Sequence, residues 1–528
     1  MGVAVTRPNI LFCFTDQQKA TSLDLYNRDC SAARARHLGR VAESGTVFDA
    51  AYCPSPLCVP SRISLMTGRF PSTDAYIGHG LELEPEADSL PDRLKAAGYR
   101  TYLAGKDHCF TSPFASGREM PPELARRYDR AFMALHNGFQ PPEVREALPE
   151  LVPFLEGRPE HFTIWGATEA PWDSDRSLTR LLTDRALDFL EDHRRDEPER
   201  PFFLHWGIPD PHEFFQAPRD VLARFPMDKV SLPPNVGCDL GDRAGYVRFM
   251  RWYFNAGPNP PTDDHYRQLY RVYLAMCQLI DDELGRLLDY LDRHGLRENT
   301  VVVFASDHGD MAGEMGCATK WNCAYDGMAR VPLVVSHPGA GLPGGARSGE
   351  PVSLTDLAAT LAELCGFDPP QGNEGRSLVD LMAGSGSRDF AFVESGLPGK
   401  PMDIDDIERF PDHRWDLPSG DGIPYDPPHR WTGRCLTARS RRHKLIQRQG
   451  QRLEFYDLER DPWETRNAAD DEAAQPEIRR HLAAIGEYQM KRETNPRGAI
   501  GVPWMDQRYT PGAGPVWNGP IHPYPAER

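Results

Sequence analysis

The chain has 528 residues, of which 40% are hydrophobic and 26% are charged, and its formal net charge is −17. This length allows roughly two to four domains, or one large α/β domain with an appendage. The strong negative charge argues against nucleic acid or an acidic membrane surface as a partner. It does not exclude an anionic small molecule, because a local group of cations can dominate a pocket.

Cysteine usage and the first residues bear on the compartment. Eleven cysteines, an odd number with no C-x-x-C pair, favour a reducing compartment over a disulfide framework. Residues 1–8 do not show the charged, apolar and cleavage regions of a signal peptide, and no apolar window approaches the length of a membrane span. We therefore expect a cytoplasmic protein without a membrane partner.

Patterns typical of buried strands alternate with amphipathic helices along most of the chain. Continuous apolar runs predict strands at 9–15, 99–104, 201–206, 300–305 and 331–335. The predicted helices lie near 37–44, 58–66, 89–97, 178–193, 269–291 and 353–364. This alternation predicts an α/β fold with a large, mostly parallel sheet sandwiched by helices.

The character of the chain changes near residue 396, which leaves 1–395 as the main α/β domain. Residues 396–433 are rich in Pro, Gly and Asp, and we interpret them as an insertion near the pocket that selects the substrate. Residues 434–495 predict a small antiparallel-sheet subdomain with a terminal helix. Residues 496–528 form a Pro/Gly-rich tail without periodicity.

Four of the predicted strands are followed by reactive polar residues at their carboxyl ends. Ligands bind at this edge of an open α/β sheet, so the polar residues are expected to converge on one site. These residues are Asp16, Lys106, His108, His212, Asp307 and His308.

The stretch Cys58-Val-Pro-Ser-Arg62, followed by Thr67-Gly68, has the features of a short helix and its start. Proline lacks the amide hydrogen that a first turn leaves unpaired, and serine can cap the helix. Cys58 would lie at the positive helix end, with Arg62 one turn further on. This arrangement suits an oxyanion.

The C-x-P-S-R…T-G motif resembles the signature of the formylglycine-dependent sulfatases, a branch of the alkaline phosphatase superfamily. In that family a formylglycine-generating enzyme oxidises the cysteine, here Cys58, to an aldehyde whose hydrate is the nucleophile. The resemblance implies a small C-terminal sheet subdomain and a catalytic domain at 1–395. It also implies hydrolysis of a small-molecule or saccharide sulfate ester, namely a sulfated carbohydrate, an aryl sulfate or an alkyl sulfate.

The pairs Asp16-Gln17 and Asp307-His308 match the family's metal motifs, and with the residue at 58 they complete the implied metal site. Two carboxylates, an amide oxygen and one imidazole suit Ca²⁺, Mg²⁺ or Mn²⁺ better than Zn²⁺, with Ca²⁺ as our first choice. The Asp-Gln and Asp-His forms are similar to the choline-sulfatase and phosphonate monoester hydrolase branches. The identity of the metal therefore stays open.

The Gly-Lys-Asp-His stretch at Lys106 and His108 matches the family's G-K-x-H motif, and His212 matches its P-H motif. Lys320 falls where the family keeps a second lysine. The resemblance implies that His212 and Lys320 assist departure of the alcohol and that His108 deprotonates the second hydroxyl of the hydrate. Lys106 would bridge the hydrate and a sulfate oxygen, and Arg62 would hold the nucleophile.

Other assignments stay open. His79 follows the Cys58 stretch and is a candidate substrate contact, with a plain loop histidine as the alternative. A phosphonate monoester or phosphodiester hydrolase is the nearest rival function, although the Lys106–His108 pair favours a sulfatase. A non-catalytic binding protein on a sulfatase scaffold is the second rival. A homo-oligomer is compatible with the sequence.

Overall fold

A computed structural model describes the greater part of the chain. It covers residues 7–27, 29–74, 76, 78, 82–110, 120–135, 140–156, 166–255, 260–397, 401, 405 and 432–493. His79, the tail at 496–528 and nearly all of the 396–433 segment lie outside the described residues, so the predictions made for them stay predictions.

The described residues form fourteen β-strands and fourteen α-helices. In chain order, strands β1 to β14 are Asn9–Thr15, Gly45–Tyr52, Arg100–Gly105, Arg130–Met133, Thr168–Ala170, Phe202–Ile208, Gln216–Pro218, Thr300–Ser306, Leu333–Ser336, Ala346–Ser353, Ala391–Ser395, Cys435–Arg439, His443–Arg448 and Glu454–Asp457. Helices α1 to α14 are Arg36–Glu43, Cys58–Thr67, Leu90–Ala96, Pro122–Arg127, Pro142–Ala147, Leu151–Glu156, Leu178–Asp196, Arg219–Leu222, Gly245–Asn255, Asp263–Arg293, Asp326–Ala329, Asp356–Cys365, Val379–Met382 and Gln475–Glu493.

Eight strands form the main sheet, in the order β10-β2-β9-β8-β1-β6-β3-β4. All neighbouring strands in it are parallel except for β9, which runs antiparallel to both β8 and β2. The central strands β1, β6 and β8 are buried along their whole length, as expected for parallel strands covered on both faces. The prediction of a large, mostly parallel sheet is confirmed.

Helices cover both faces of this sheet, and the alternating side chains of β1 show the division. Leu11 and Cys13 belong to a core that includes α7 and α10, whereas Ile10, Phe12 and Phe14 belong to a core that includes α2, α3 and α12. Successive residues of a strand point to opposite faces, so one strand contributes to both cores. The sheet is therefore sandwiched by helices.

A separate antiparallel sheet, in the order β11-β12-β13-β14, lies toward the C-terminal end of the described chain. Helix α14 packs on it through Ile478 and Ile485, which share a core with Leu445 and Phe455. The predicted small antiparallel sheet is confirmed, and β11 adds a fourth strand to it. None of the helices in the described ranges has the length and apolar character that a bilayer crossing requires.

Candidate functional site

The site begins where the two neighbouring central strands β1 and β8 end. These strands pair in parallel with Thr15 opposite Ser306, so Asp16 and Asp307 emerge side by side at the carboxyl edge. The backbone N–H of Gln17 donates to Asp307 Oδ1 at 3.0 Å. Gln17 has a positive φ of 68°, so the extended conformation of β1 does not continue past Asp16. Two of the residues expected to converge at this edge, Asp16 and Asp307, thus lie side by side.

Four buried side chains present donor atoms that all lie within 4.8 Å of one another: Asp16, Cys58, Asp307 and His308. The Cys58 sulfur lies 3.1 Å from His308 Nε2 and 3.6 Å from Asp16 Oδ1. His308 Nδ1 donates to the carbonyl of Gly309 at 2.9 Å, which leaves Nε2 as the acceptor that faces the cluster. This donor set can hold one divalent cation.

Arg62 bridges the two carboxylates from α2, one turn after Cys58. Its Nε donates to Asp307 Oδ2 at 2.7 Å and its Nη2 to Asp16 Oδ2 at 3.1 Å. Both contacts use the Oδ2 atoms, so the Oδ1 atoms remain directed toward the cluster. Lys106, which follows β3, also donates to Asp16 Oδ2. Arg62 thus joins the two carboxylates, and Lys106 adds a second positive charge at Asp16.

Burial and neighbouring charge set the protonation of this cluster. Burial opposes ionisation of Asp16, but Lys106, His212 and Arg62 hold the pKa of that carboxyl well below its ordinary value. Burial, assisted by the Asp16 charge, raises the pKa of the Cys58 thiol to about 12. Without a bound cation, position 58 is therefore a neutral thiol beside the ionised carboxylate of Asp16.

A second group of side chains lies next to this cluster and centres on Lys320. The Lys320 Nζ atom lies 2.6 Å from both Gln17 Oε1 and His212 Nε2. His212 Nδ1 donates to the carbonyl of Glu213 at 2.6 Å, so Nε2 is the acceptor that receives the lysine proton. Burial and the Lys320 charge hold the pKa of His212 well below its ordinary value. The pair is thus a lysine ammonium donating to a neutral imidazole.

Two further carboxyls, Glu213 and Asp310, belong to the site and were missed by the sequence reasoning. The Gln17 Nε2 group donates to Glu213 Oε2 and to Asp310 Oδ2. Burial and the Glu213 charge raise the pKa of Asp310 to about 7. The sequence offered one signal, because Glu213 directly follows His212 and Asp310 ends the Ser-Asp-His-Gly-Asp run.

The structure brings most of the predicted site residues together, and the contacts above link all of them except two. The linked residues are Asp16, Gln17, Cys58, Arg62, Lys106, His212, Asp307, His308 and Lys320. His108 follows β3 with a positive φ of 58° and is partly exposed, and its role stays a prediction. Gln17 directs its side-chain oxygen to Lys320, so its role as a metal ligand also stays a prediction. His79 lies outside the described residues.

Comparison with known proteins agrees with the family resemblance of the sequence motifs. The family model described as Sulfatase matches residues 8–367. The choline-sulfatase of Rhizobium meliloti is 28% identical over 384 residues, which covers 72% of this chain and 72% of that protein.

Solved structures share the fold. A phosphonate monoester hydrolase from Silicibacter pomeroyi superposes with a TM-score of 0.72 at 20% identity and covers 92% of this chain and 96% of its own. A protein solved with its substrate D-glucosamine-2-N,6-O-disulfate superposes with a TM-score of 0.69 at 19% identity, over 93% of this chain and 100% of its own. The family model spans the strands and helices that build the site, from β1 to α12. The chain therefore belongs to the sulfatase family.

Proposed function

We propose that this protein hydrolyses sulfate esters, using one divalent cation and a formylglycine made from Cys58. The observation that carries the proposal is the position of Cys58 at the first turn of α2, with its sulfur against His308 and Asp16. A residue at this position faces the cation position and the bridging Arg62 at the same time. This is what a nucleophile for an anionic ester needs.

The donor set supports a bound cation. Asp16, Asp307 and His308 would hold it, with the residue at 58 and Gln17 as further candidates, and Ca²⁺ stays the first choice with Mg²⁺ and Mn²⁺ as alternatives. When bound, the cation supplies positive charge next to the sulfate group and the nucleophile.

The C-V-P-S-R sequence supports the conversion of Cys58 to formylglycine by a generating enzyme. The hydrated aldehyde supplies one hydroxyl for attack on sulfur and a second hydroxyl whose deprotonation lets sulfate leave. Without this modification, the residue is a thiol whose pKa burial raises to about 12. Without a bound cation, an unmodified Cys58 is thus a weak nucleophile.

The side chains of this protein contribute charge and protons around the ester. Arg62 and Lys106 carry positive charge on the Asp16 side of the cluster, where negative charge on the sulfate oxygens develops. The Lys320–His212 pair holds the proton for the leaving group. As the bond between sulfur and the alcohol oxygen breaks, that proton moves to the oxygen, the alcohol leaves neutral, and the pair regains a proton from solvent.

Two substrate classes have support. The choline-sulfatase relative and the neighbour solved with a disulfated glucosamine favour a small-molecule or saccharide sulfate ester. The Silicibacter neighbour is a phosphonate monoester hydrolase, which keeps phosphonate monoesters as the second candidate. The Lys106–Asp16 contact gives the lysine of the Gly-Lys-Asp-His stretch a place in the site, and this supports the sulfatase choice.

Production of the protein with and without a formylglycine-generating enzyme tests the proposal. We expect the Cys58 peptide to lose the mass that separates a thiol from an aldehyde, and we expect turnover of 4-nitrophenyl sulfate only in the modified protein. Cys58→Ala should abolish turnover. Cys53→Ala, the same change at another buried cysteine, should retain it.

Faster turnover of phenylphosphonate monoesters than of sulfates would favour the second candidate, and unmodified Cys58 in the presence of the enzyme would refute the formylglycine assignment.

A further inference from the structure

Glu213 and Asp310 form a buried acidic pair that the reaction described above does not use. Glu213 lies in the loop after β6 and is 6% exposed, and Asp310 lies after β8 and is fully buried. One amide group joins them, because the Gln17 Nε2 donates to a carboxylate oxygen of each. Two acidic side chains thus converge on a residue that also contacts Lys320.

This pair decides the orientation of the Gln17 side chain. An amide has a donating NH₂ and an accepting oxygen, and only the NH₂ can face two carboxyl oxygens. If the amide were reversed, its oxygen would face Glu213 and Asp310 and its NH₂ would face the Lys320 ammonium. The observed orientation places Gln17 Oε1 at 2.6 Å from Lys320 Nζ. The acidic pair therefore presents an acceptor to the lysine.

Glu213 makes three further contacts that bear on the same lysine. Its Oε1 lies 3.4 Å from Lys320 Nζ and accepts from the Thr319 hydroxyl at 3.0 Å. Thr319 directly precedes Lys320 and has a positive φ of 50°. The backbone carbonyl of Glu213 accepts from His212 Nδ1. Glu213 thus holds the lysine head, the backbone next to it and the imidazole that receives its proton.

We propose that Glu213 is a positioning residue for proton delivery to the leaving alcohol. With Asp310 it orients Gln17, and together these side chains fix Lys320 Nζ against His212 Nε2. Its role in turnover rests on the proposed function above. The role is a matter of geometry, because a lysine side chain has many rotamers and a misplaced donor loses most of its effect.

The proposal predicts a dependence on the leaving group. A poor leaving group needs the proton from the Lys320–His212 pair as its bond to sulfur breaks, whereas a good one leaves as the anion. A residue that only supports the fold would affect both kinds of ester equally. The comparison of phenyl sulfate with 4-nitrophenyl sulfate therefore separates the two roles.

Glu213→Gln tests this, since it keeps the size of the side chain and removes its charge. We expect kcat for phenyl sulfate to fall on the order of 10–100-fold and kcat for 4-nitrophenyl sulfate to fall less than about 3-fold. Glu213→Asp keeps the charge and should recover part of the phenyl sulfate activity. The matched control is Asp281→Asn, another buried carboxyl, which caps α1 by accepting from the N–H groups of His37 and Leu38 and should leave the ratio of the two rates unchanged.

Equal slowing of both esters, or no slowing of either, would overturn the proposal. A crystal structure of Glu213→Gln gives a readout that needs no turnover. We expect Lys320 Nζ to leave hydrogen-bond distance of His212 Nε2, and an unmoved lysine would overturn the proposal as well. If the wild-type protein hydrolysed no sulfate ester, the proposed function would fail, and the crystal structure would still decide the positioning role.

Discussion

Arg62 is the side chain on which the buried charges of the site depend. It is 1% exposed, bridges Asp16 and Asp307, and its guanidinium lies 4.9 Å from the ring centre of Phe14. An arginine can serve two carboxylates at once because its donors lie in a fixed planar fork, which lysine lacks. The removal of one partner from a buried charge group leaves the others uncompensated.

Arg62→Met should therefore destabilise the protein by about 3–5 kcal/mol when no cation is present. A bound cation would compensate part of the buried negative charge that loses its arginine partner, so the loss should be smaller in Ca²⁺ than in chelator. Urea unfolding of the variant and the wild type under both conditions measures this. Arg62→Lys is the matched variant: it keeps the charge but cannot bridge both carboxylates, so it should recover part of the stability and not the turnover. A loss that is the same with and without cation would contradict the charge argument.

His205 on β6 is a second buried group whose charge state matters, in this case for stability. It lies among aromatic rings, with Phe12 at 5.4 Å between ring centres, and its Nδ1 pairs with the Tyr128 hydroxyl at 2.9 Å. Burial, assisted by the Arg62 charge, lowers the pKa of this imidazole from 6.5 to about 3. Since the unfolded chain binds a proton below pH 6.5 and the folded chain does not, His205 opposes folding in acid.

The sign of this linkage predicts the pH dependence of stability. The contribution of His205 is fully present above pH 6.5 and is lost as the pH falls toward 3, at up to about 1.4 kcal/mol per pH unit. His205→Gln removes the titration, so its unfolding free energy should fall less steeply in acid than that of the wild type. Urea unfolding across this range measures the difference. His294→Gln, at an exposed histidine, is the control, and equal slopes for the wild type and His205→Gln would contradict the prediction.

At the level of residues, the sequence predicted those parts of the site that occur as short motifs. Cys58, Arg62 and Asp307 lie in short runs whose spacing points to their chemistry. Glu213 and Asp310 were not identified, because their significance comes from one amide that approaches both from another strand end. Such a contact depends on loop geometry, which no local spacing records.

At the level of elements, the C-terminal sheet holds the segment that carries Lys320. Lys444 on β13 donates to the carbonyl of Ala324 at 2.9 Å and to Asp326 Oδ1 at 2.7 Å, and it also pairs with Glu464. Asp326 is the first residue of α11, six positions after Lys320. The lysine ammonium is fully buried, so this contact between β13 and α11 is shielded from solvent.

Lys444→Met should destabilise the protein by about 3–5 kcal/mol, since Asp326 and Glu464 would remain buried without their cation. Thermal or urea unfolding measures the loss. Arg460→Met provides the control, because Arg460 is 81% exposed in its ion pair with Asp457 and exposed pairs contribute about 1 kcal/mol or less. A loss no larger than that of the control would show that the contacts of Lys444 add no more stability than an exposed ion pair.

The elements that the sequence predicted are those with strong burial. Strands β1 and β8 were predicted at nearly their observed bounds because every residue in them is buried. Strand β4 is short and half-buried, and the first half of β10 is polar and half-buried, so no long apolar run marked either of them, and both are edge strands of the main sheet. The antiparallel direction of β9 was also not predicted, because strand direction depends on connections rather than on pattern.

At the level of the whole molecule, charge is distributed unevenly. The net charge is −17, yet the described site gathers Arg62, Lys106 and Lys320 around its carboxyls. An acidic surface attracts divalent cations weakly at many places, whereas the site would bind one cation tightly. Any stabilisation by added cation must therefore be assigned to one source or the other.

Removal of the cation should lower the stability of the whole molecule. A ligand that binds only the folded state stabilises it by RT ln(1 + [L]/Kd), which is about 2.7 kcal/mol at a free concentration one hundred times Kd. We expect the wild type to lose this increment in chelator and to regain it with Ca²⁺, Mg²⁺ or Mn²⁺ in an order that identifies the preferred ion. Thermal unfolding over a titration of each ion measures the effect. Asp307→Ala removes one donor from the site and leaves the surface unchanged, since Asp307 is fully buried, so it should lose the saturable increment at low concentration and keep only the weak rise at high concentration. Equal gains in the two proteins would place the stabilising cation on the surface and not in the site.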